Sequence, residues 1–288
     1  MRNNEDRLSS SPSSDDSAAL TEATKSTPSQ GGLSFAVPTE FVELPSRGKL
    51  YPPEHPLHNE ESVEIKFMTA KEEDILTSKA LIRKGLAIDR MLESIIVNKN
   101  IKVDELILGD KNALIVAARI SGYGSEYEIS VQCPSCEEKV RHTFDLSKLE
   151  HSEQDFDSIG VEITENNTFK SSLYKLKNVV EFRLLTGKDE LATLHEMEMK
   201  KKNKVKTMLD SNATSQLKRA VVSVDGITDR VQISRFIDNL PALDARYLRG
   251  LIKKVTPEVD MSQTFECASC GHEEEMEVPF TVEFFWPK

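Results

Sequence analysis

Apolar and polar residues alternate over Val63-Glu64-Ile65-Lys66-Phe67-Met68, the pattern of a strand with one buried face. Thr69 follows, with Glu72 three residues on, which predicts a capping box and a helix to about Lys84, where Gly85 stops it. A second helix is expected over about 88–97, with Ile88, Met91, Leu92, Ile95 and Ile96 on its apolar face. A third covers about 110–120, opened by Asp110, and 126–132 and 138–145 read as strands. The pattern then recurs. Val179 to Thr186 is another strand ending in threonine, and Lys188-Asp189-Glu190-Leu191 opens a helix. That helix passes through the charged run Glu196–Lys202, read as one solvated face. Helices are expected near 213–223, 231–239 and 242–254, and the last strands flank residues 267–270.

Upstream of Val63 the pattern breaks. Pro38, Pro45, Pro52, Pro53 and Pro56 exclude helix and favour an extended arm with turns over 35–62. Phe41, Leu44, Leu50 and Tyr51 are its apolar anchors, expected to hold it to a surface of this chain or of another subunit. Residues 1–34 are rich in Ser, Thr, Asp, Pro and Gly and almost empty of large apolar residues, the composition of a disordered tail. Such a tail is a solvated extension or a tether that orders on a partner.

All four cysteines fall in two Cys-x-x-Cys knuckles, Cys133-Pro134-Ser135-Cys136 and Cys267-Ala268-Ser269-Cys270. Each lies between two strand-like stretches. Four thiolates so paired suit a closed, tetrahedral Zn²⁺ site, and a site with no open coordination position is structural. The knuckles are 134 residues apart, and the same offset carries Val103-Asp104-Glu105-Leu106 onto Ile237-Asp238-Asn239-Leu240, Asp110 onto Asp244 and Leu114 onto Leu248. Val63 to Thr69 resembles Val180 to Thr186 at an offset of 117. The expected fold is therefore α+β, with internally duplicated helical and strand halves joined by a zinc-ribbon-like Cys₄ site. Its divisions are a tail (1–34), the Pro-rich arm (35–62), a first repeat with its knuckle (63–146), a connector (147–178) and a second repeat with its knuckle (179–288).

Charge narrows the function. The formal net charge is −11, and Glu137, Glu138, Glu266, Glu273, Glu274, Glu275 and Glu277 crowd the knuckles, with only Lys139 and Arg141 opposing them. Such a surface repels phosphate backbones, so a zinc-ribbon adaptor for nucleic acid is the weaker alternative. No apolar run approaches the roughly 18–20 residues of a membrane span. No apolar segment follows Met1-Arg2-Asn3-Asn4-Glu5-Asp6, which argues against a secretory signal and for reduced, metal-binding thiols. The six histidines form no His-x-x-x-His or His-Glu-x-x-His pair, and no phosphate-binding glycine loop is present. The expectation is a protein without catalytic activity.

Several segments together carry a family resemblance. They are Phe41-Val42-Glu43-Leu44-Pro45-Ser46-Arg47-Gly48-Lys49-Leu50-Tyr51, Met68 to Leu76, Leu81 to Asp89, Gly109 to Leu114, Ala117 to Gly124 and the first Cys-Pro-x-Cys knuckle. The chain resembles the T4-like bacteriophage baseplate proteins, the hub subunits or hub assembly proteins of contractile-tailed phages. The resemblance implies a role in building the central baseplate hub, with other hub proteins as partners. It implies residence in the host cytoplasm during assembly and, for a retained subunit, in the tail baseplate. It leaves open whether such a protein stays in the virion or departs as a chaperone.

Overall fold

The first strands, β1 (Thr39–Glu43) and β2 (Ser62–Lys66), pair antiparallel, Phe41 opposite Glu64. The computed structural model describes residues 36–152, 154, 156–202, 212–279 and 282–285, so the expected tail at 1–34 lies outside the described residues. The chain divides into two units, Met1–Ala36 and Val37–Lys288, and the elements below belong to the second.

The segment between β1 and β2 is not an extended arm. It descends through successive turns that bury Leu44, Pro45, Ser46, Tyr51 and Leu57, with Leu50 half-buried against the same core. Of the four expected anchors, Leu44, Leu50 and Tyr51 pack into their own chain, the first of the two surfaces expected for them, and are not available to a partner. Only Phe41 faces solvent, 72% exposed. The prolines deny the segment a helix, as expected, and its apolar side chains then find the nearest core, which is intramolecular.

Helix α1 (Ala70–Thr77) carries the expected capping box. The Thr69 N–H donates to Glu72 Oε2 at 3.0 Å, and Ser94 donates to Oε1 at 2.6 Å. It ends earlier than Lys84. The Thr77 hydroxyl bonds back to the carbonyl of Glu73 at 2.9 Å, Ser78 is extended, and a second helix, α2 (Lys79–Arg83), starts afresh before Gly85. Short hydroxyl side chains compete with the helical ladder in this way. Helix α3 (Ala87–Ile95) buries Ala87, Met91, Leu92 and Ile95, whereas Ile88 is exposed.

Helix α4 (Leu108–Tyr123) begins ahead of Asp110, so that residue is not its cap. Asp110 is the third helical residue, fully buried, and holds the folded-in segment: it accepts from Ser46 N–H at 2.9 Å, Ser46 Oγ at 2.6 Å and Tyr51 Oη at 2.8 Å. Gly109 permits a close crossing here, since a Cβ would stand 1.6 Å from the Pro257 carbonyl oxygen. Near the end of α4, buried Arg119 donates to the carbonyls of Gly124, Glu126 and Phe284 at 2.6, 3.0 and 2.6 Å, drawing the turn Val282–Phe285 onto the helix.

Strands β3 (Glu126–Gln132) and β4 (Lys139–Asp145) form the first ribbon. The connector is more than a linker. It supplies β5 (Glu150–His151), the short helix α5 (Phe156–Ile159), β6 (Glu162–Ile163) and β7 (Phe169–Ser172). With β8 (Val179–Phe182), β6 and β7 enter a four-stranded antiparallel sheet, which a boundary at 179 would cut. After helix α6 (Gly187–Lys202) and helix α7 (Asn212–Ala220), the helix expected to reach 223 gives way to strand β9 (Val221–Val224) on the edge of that sheet. Val-Val-Ser-Val is poorly suited to helix and packs well as a strand. Helix α8 (Arg230–Asp238), helix α9 (Ala242–Val255), β10 (Val259–Asp260), which pairs with β5, and the second ribbon, β11 (Ser262–Glu266) with β12 (Glu273–Glu277), complete the unit.

Candidate metal centre

Each ribbon ends in a knuckle of the same build. In the first, Cys133 N–H donates to the Glu138 carbonyl and Glu137 N–H to the Cys133 carbonyl, both at 2.9 Å. In the second, Cys267 N–H donates to the His272 carbonyl at 2.9 Å and Gly271 N–H to the Cys267 carbonyl at 2.8 Å. The residue after each second cysteine is left-handed: Glu137 at φ 61° and Gly271 at φ 69°. The first cysteine of each knuckle is buried, while Cys136 is half-buried and Cys270 exposed.

The ribbons bring all four predicted ligands together, their sulfurs within 4.8 Å of one another. Two close separations run between knuckles: Cys133 Sγ to Cys270 Sγ and Cys136 Sγ to Cys267 Sγ, each 3.8 Å. A disulfide needs about 2.05 Å, so these are free thiols. Metal–sulfur bonds of about 2.3 Å in a regular tetrahedron put neighbouring sulfurs about 3.8 Å apart. The donor set therefore fits a divalent, thiolate-loving ion in size and chemistry.

The electrostatics are those of a set that needs a cation to ionise fully. Backbone N–H groups of Cys136 and Ser135 pull the Cys133 thiol down to about 6. At Cys136 the Glu138 N–H favours the thiolate, but burial and the neighbouring sulfurs prevail and push it up to about 12. Cys270 is also raised: the His272 N–H favours its thiolate, but partial desolvation of the sulfur and its contacts with Cys267 and Cys133 outweigh it. His272 does not join the four sulfurs. Its Nε2 lies 3.4 Å from Glu274 at the surface. His142, in β4 of the first ribbon, packs edge-on to Phe144 of the same strand at 4.6 Å and to Phe265 of the second ribbon at 5.1 Å. The Gln263 side chain ties the ribbons directly, donating to the Asp145 carbonyl at 2.6 Å and accepting its N–H at 3.1 Å.

A cleft of about 750 Å³ opens elsewhere, between Leu50–Pro56, the turn Val103–Glu105 and Arg183–Asp189. Several of its charges pair among themselves. Arg183 holds Asp189 with two bonds of 2.8 Å, and Lys188 meets Glu105 at 2.8 Å. Burial opposes ionisation of Asp189, but hydrogen bonds from Arg183 and Thr186 prevail and keep its carboxyl below the usual range. No motif in the sequence marks this cleft. The buried Ser46–Asp110–Tyr51 cluster carries no catalytic motif either, Ser46 and Tyr51 lying 64 and 59 residues from Asp110 along the chain.

Fold and centre together define a mixed α+β protein whose two ribbons converge on a four-cysteine cluster able to hold a metal ion. The chain belongs to the T4 bacteriophage base plate protein family, whose profile matches residues 37–286. Comparison with curated proteins and with solved structures returned no match. Membership makes the chain a phage baseplate protein, with phage structural proteins as neighbours. Among the described residues no helix is long and apolar enough to cross a membrane.

Proposed function

We propose that the protein builds or completes the central hub of the baseplate, as a hub subunit or hub assembly factor. It acts through protein–protein contact, without catalysis, and is braced by one structural Zn²⁺. The family match supports the baseplate setting. The zinc reading rests on one observation above all: the 3.8 Å sulfur pairs that join the knuckles cross-wise at the tetrahedral spacing. Cys133, Cys136, Cys267 and Cys270 would hold the ion, and a Cys₄ set leaves no position open for a substrate.

The same reading makes the two halves copies of one unit. Several geometric pairs support it. Thr186 N–H donates to Asp189 at 3.0 Å, as Thr69 N–H does to Glu72. Ile96 bridges to Ile65 of β2 where β9 pairs with β8. Asp244 is the third residue of α9, as Asp110 is of α4; both are fully buried and accept a backbone N–H from the loop of the preceding hairpin, Lys175 at 2.6 Å and Ser46 at 2.9 Å. The zinc then lies between equivalent ribbons and clamps the halves.

The exposed carboxylates of Glu137, Glu138, Glu266, Glu273, Glu274, Glu275 and Glu277 count against a nucleic-acid adaptor. Mass spectrometry of purified virions, together with a deletion, tests the hub reading. Fixed stoichiometry in the baseplate identifies a hub subunit. Absence from virions, with assembly arrested at the hub on deletion, identifies an assembly factor. Normal hub assembly without the protein overturns the proposal.

A further inference from the structure

The turn between β7 and β8 places two large apolar side chains in solvent, Tyr174 at 58% and Leu176 at 45% exposure. Val179, Ile227 and Leu243 are exposed beside it. These residues come from three segments that hydrogen bonds fasten together. The Asp244 carboxylate, at the head of α9, accepts Lys175 N–H at 2.6 Å and Leu176 N–H at 3.1 Å. Asp225, two residues before Ile227, accepts Val179 N–H at 2.8 Å, and its own N–H donates to the Val179 carbonyl at 2.8 Å. The Tyr174 ring lies 6.4 Å from that of Tyr247 in α9. A single exposed apolar side chain is ordinary, but several gathered on a fastened framework mark a contact surface. Because the framework is already ordered, little conformational entropy remains to be lost when a partner arrives.

The charges select the partner. The two carboxylates that fasten the patch are engaged by the chain's own donors, Asp225 by the hairpin and Asp244 by the turn. Lys175, Lys177 and Arg246 remain at the surface, with Lys177 Nζ 5.5 Å from the Tyr174 ring centre. None of the three forms an ion pair among the described residues. A cationic apolar patch on a protein of net charge −11 complements an acidic surface. The chain's own acidic ribbon, β11–β12, is a poor match, because no large apolar side chain stands exposed on it.

We propose that Tyr174, Leu176, Val179, Ile227 and Leu243, rimmed by Lys175, Lys177 and Arg246, form a docking surface for a different protein of the phage particle. That protein presents an apolar ridge flanked by carboxylates. The inference rests on the proposed function only in taking its partner from the particle. The test places the photoreactive residue p-benzoylphenylalanine at position 176 of the full chain in infected cells. The expected product is an adduct with another phage protein whose cross-linked segment is apolar and rich in Asp or Glu. Joint Lys175→Glu and Lys177→Glu changes, checked to melt at the same temperature as the unaltered protein, should cut its yield roughly tenfold, while Lys139→Glu should not. Adducts only between copies of this chain overturn the proposal. So does a yield no higher than from the same label at position 139, or one indifferent to charge reversal. An adduct with a tail protein outside the hub supports the surface and counts against the hub reading, so the two fail separately.

Discussion

The phenol of Tyr51 crosses 59 residues of sequence to donate to the buried carboxylate of Asp110 at 2.8 Å, and the same oxygen accepts the Ile107 N–H at 3.1 Å. One hydroxyl thus joins the folded-in segment to the entrance of α4. Burial, then the Asp110 charge, push the phenol above its ordinary value, so it stays a donor; burial also raises Asp110. Tyr51→Phe keeps the ring and removes both bonds. It should cost about 1.5–3 kcal/mol, the range for a hydrogen bond to a charged group, read as a lower urea midpoint with unchanged slope.

Metal removal should act on the ribbons first. Purified protein is expected to carry one zinc per chain. A chelator, or Cys133→Ser, should lower the melting temperature and speed amide exchange over 126–145 and 262–277. Structural zinc sites contribute on the order of 10 kcal/mol of apparent binding energy, so the change should be large. Protein that holds no metal and keeps its melting temperature in chelator would sink the clamp.

The two knuckles differ at one left-handed position. Glu137 adopts φ 61° with a side chain, where Gly271 adopts φ 69° without one. Glu137→Gly should stabilise the folded protein by about 0.5–1 kcal/mol, since the left-handed conformation strains most L-residues. Gly271→Ala should destabilise it by about 1 kcal/mol through φ alone, because an added Cβ meets nothing within 4 Å. Melting curves of the two variants, compared under equal metal loading, check both signs.

Asp189 supplies a pH dependence with a definite sign. Burial opposes its ionisation, but its bonds to Arg183 and Thr186 hold the folded-state value below the ordinary 3.8. Its stabilisation is present above that ordinary value and disappears as pH falls through the lower, folded one. Asp189→Asn should therefore weaken the protein at neutral pH and flatten the acid limb of its stability curve. An unchanged acid limb would show that Arg183 and Thr186 do not hold this carboxylate.

Features written in neighbouring residues are legible without the structure. Thr69 and Glu72 announce their capping box because partner and cap are three residues apart. Both Cys-x-x-Cys knuckles announce themselves by spacing, as do the alternating strands of the first ribbon. Features that depend on distant partners are not legible. Nothing in Pro45-Ser46-Arg47 says that Asp110 waits 64 residues on, so the segment reads as a free arm. The break at Ser78 and the strand Val221–Val224 fall inside helical patterns, and there back-bonding by Thr77 and pairing with β8 decide the outcome.

The cross-wise sulfur pairs also bear on the order in which the chain is made. Cys133 and Cys136 are synthesised well before Cys267 and Cys270, a delay of roughly seven to twenty-seven seconds at ordinary translation rates. Until then the first ribbon leaves the ribosome with half a site and two open thiols. Its knuckle closes only on partners that lie 137 and 131 residues downstream. A polypeptide cut short before Cys267 cannot complete it. The four-sulfur set therefore exists only in chains that have been extended past Cys270.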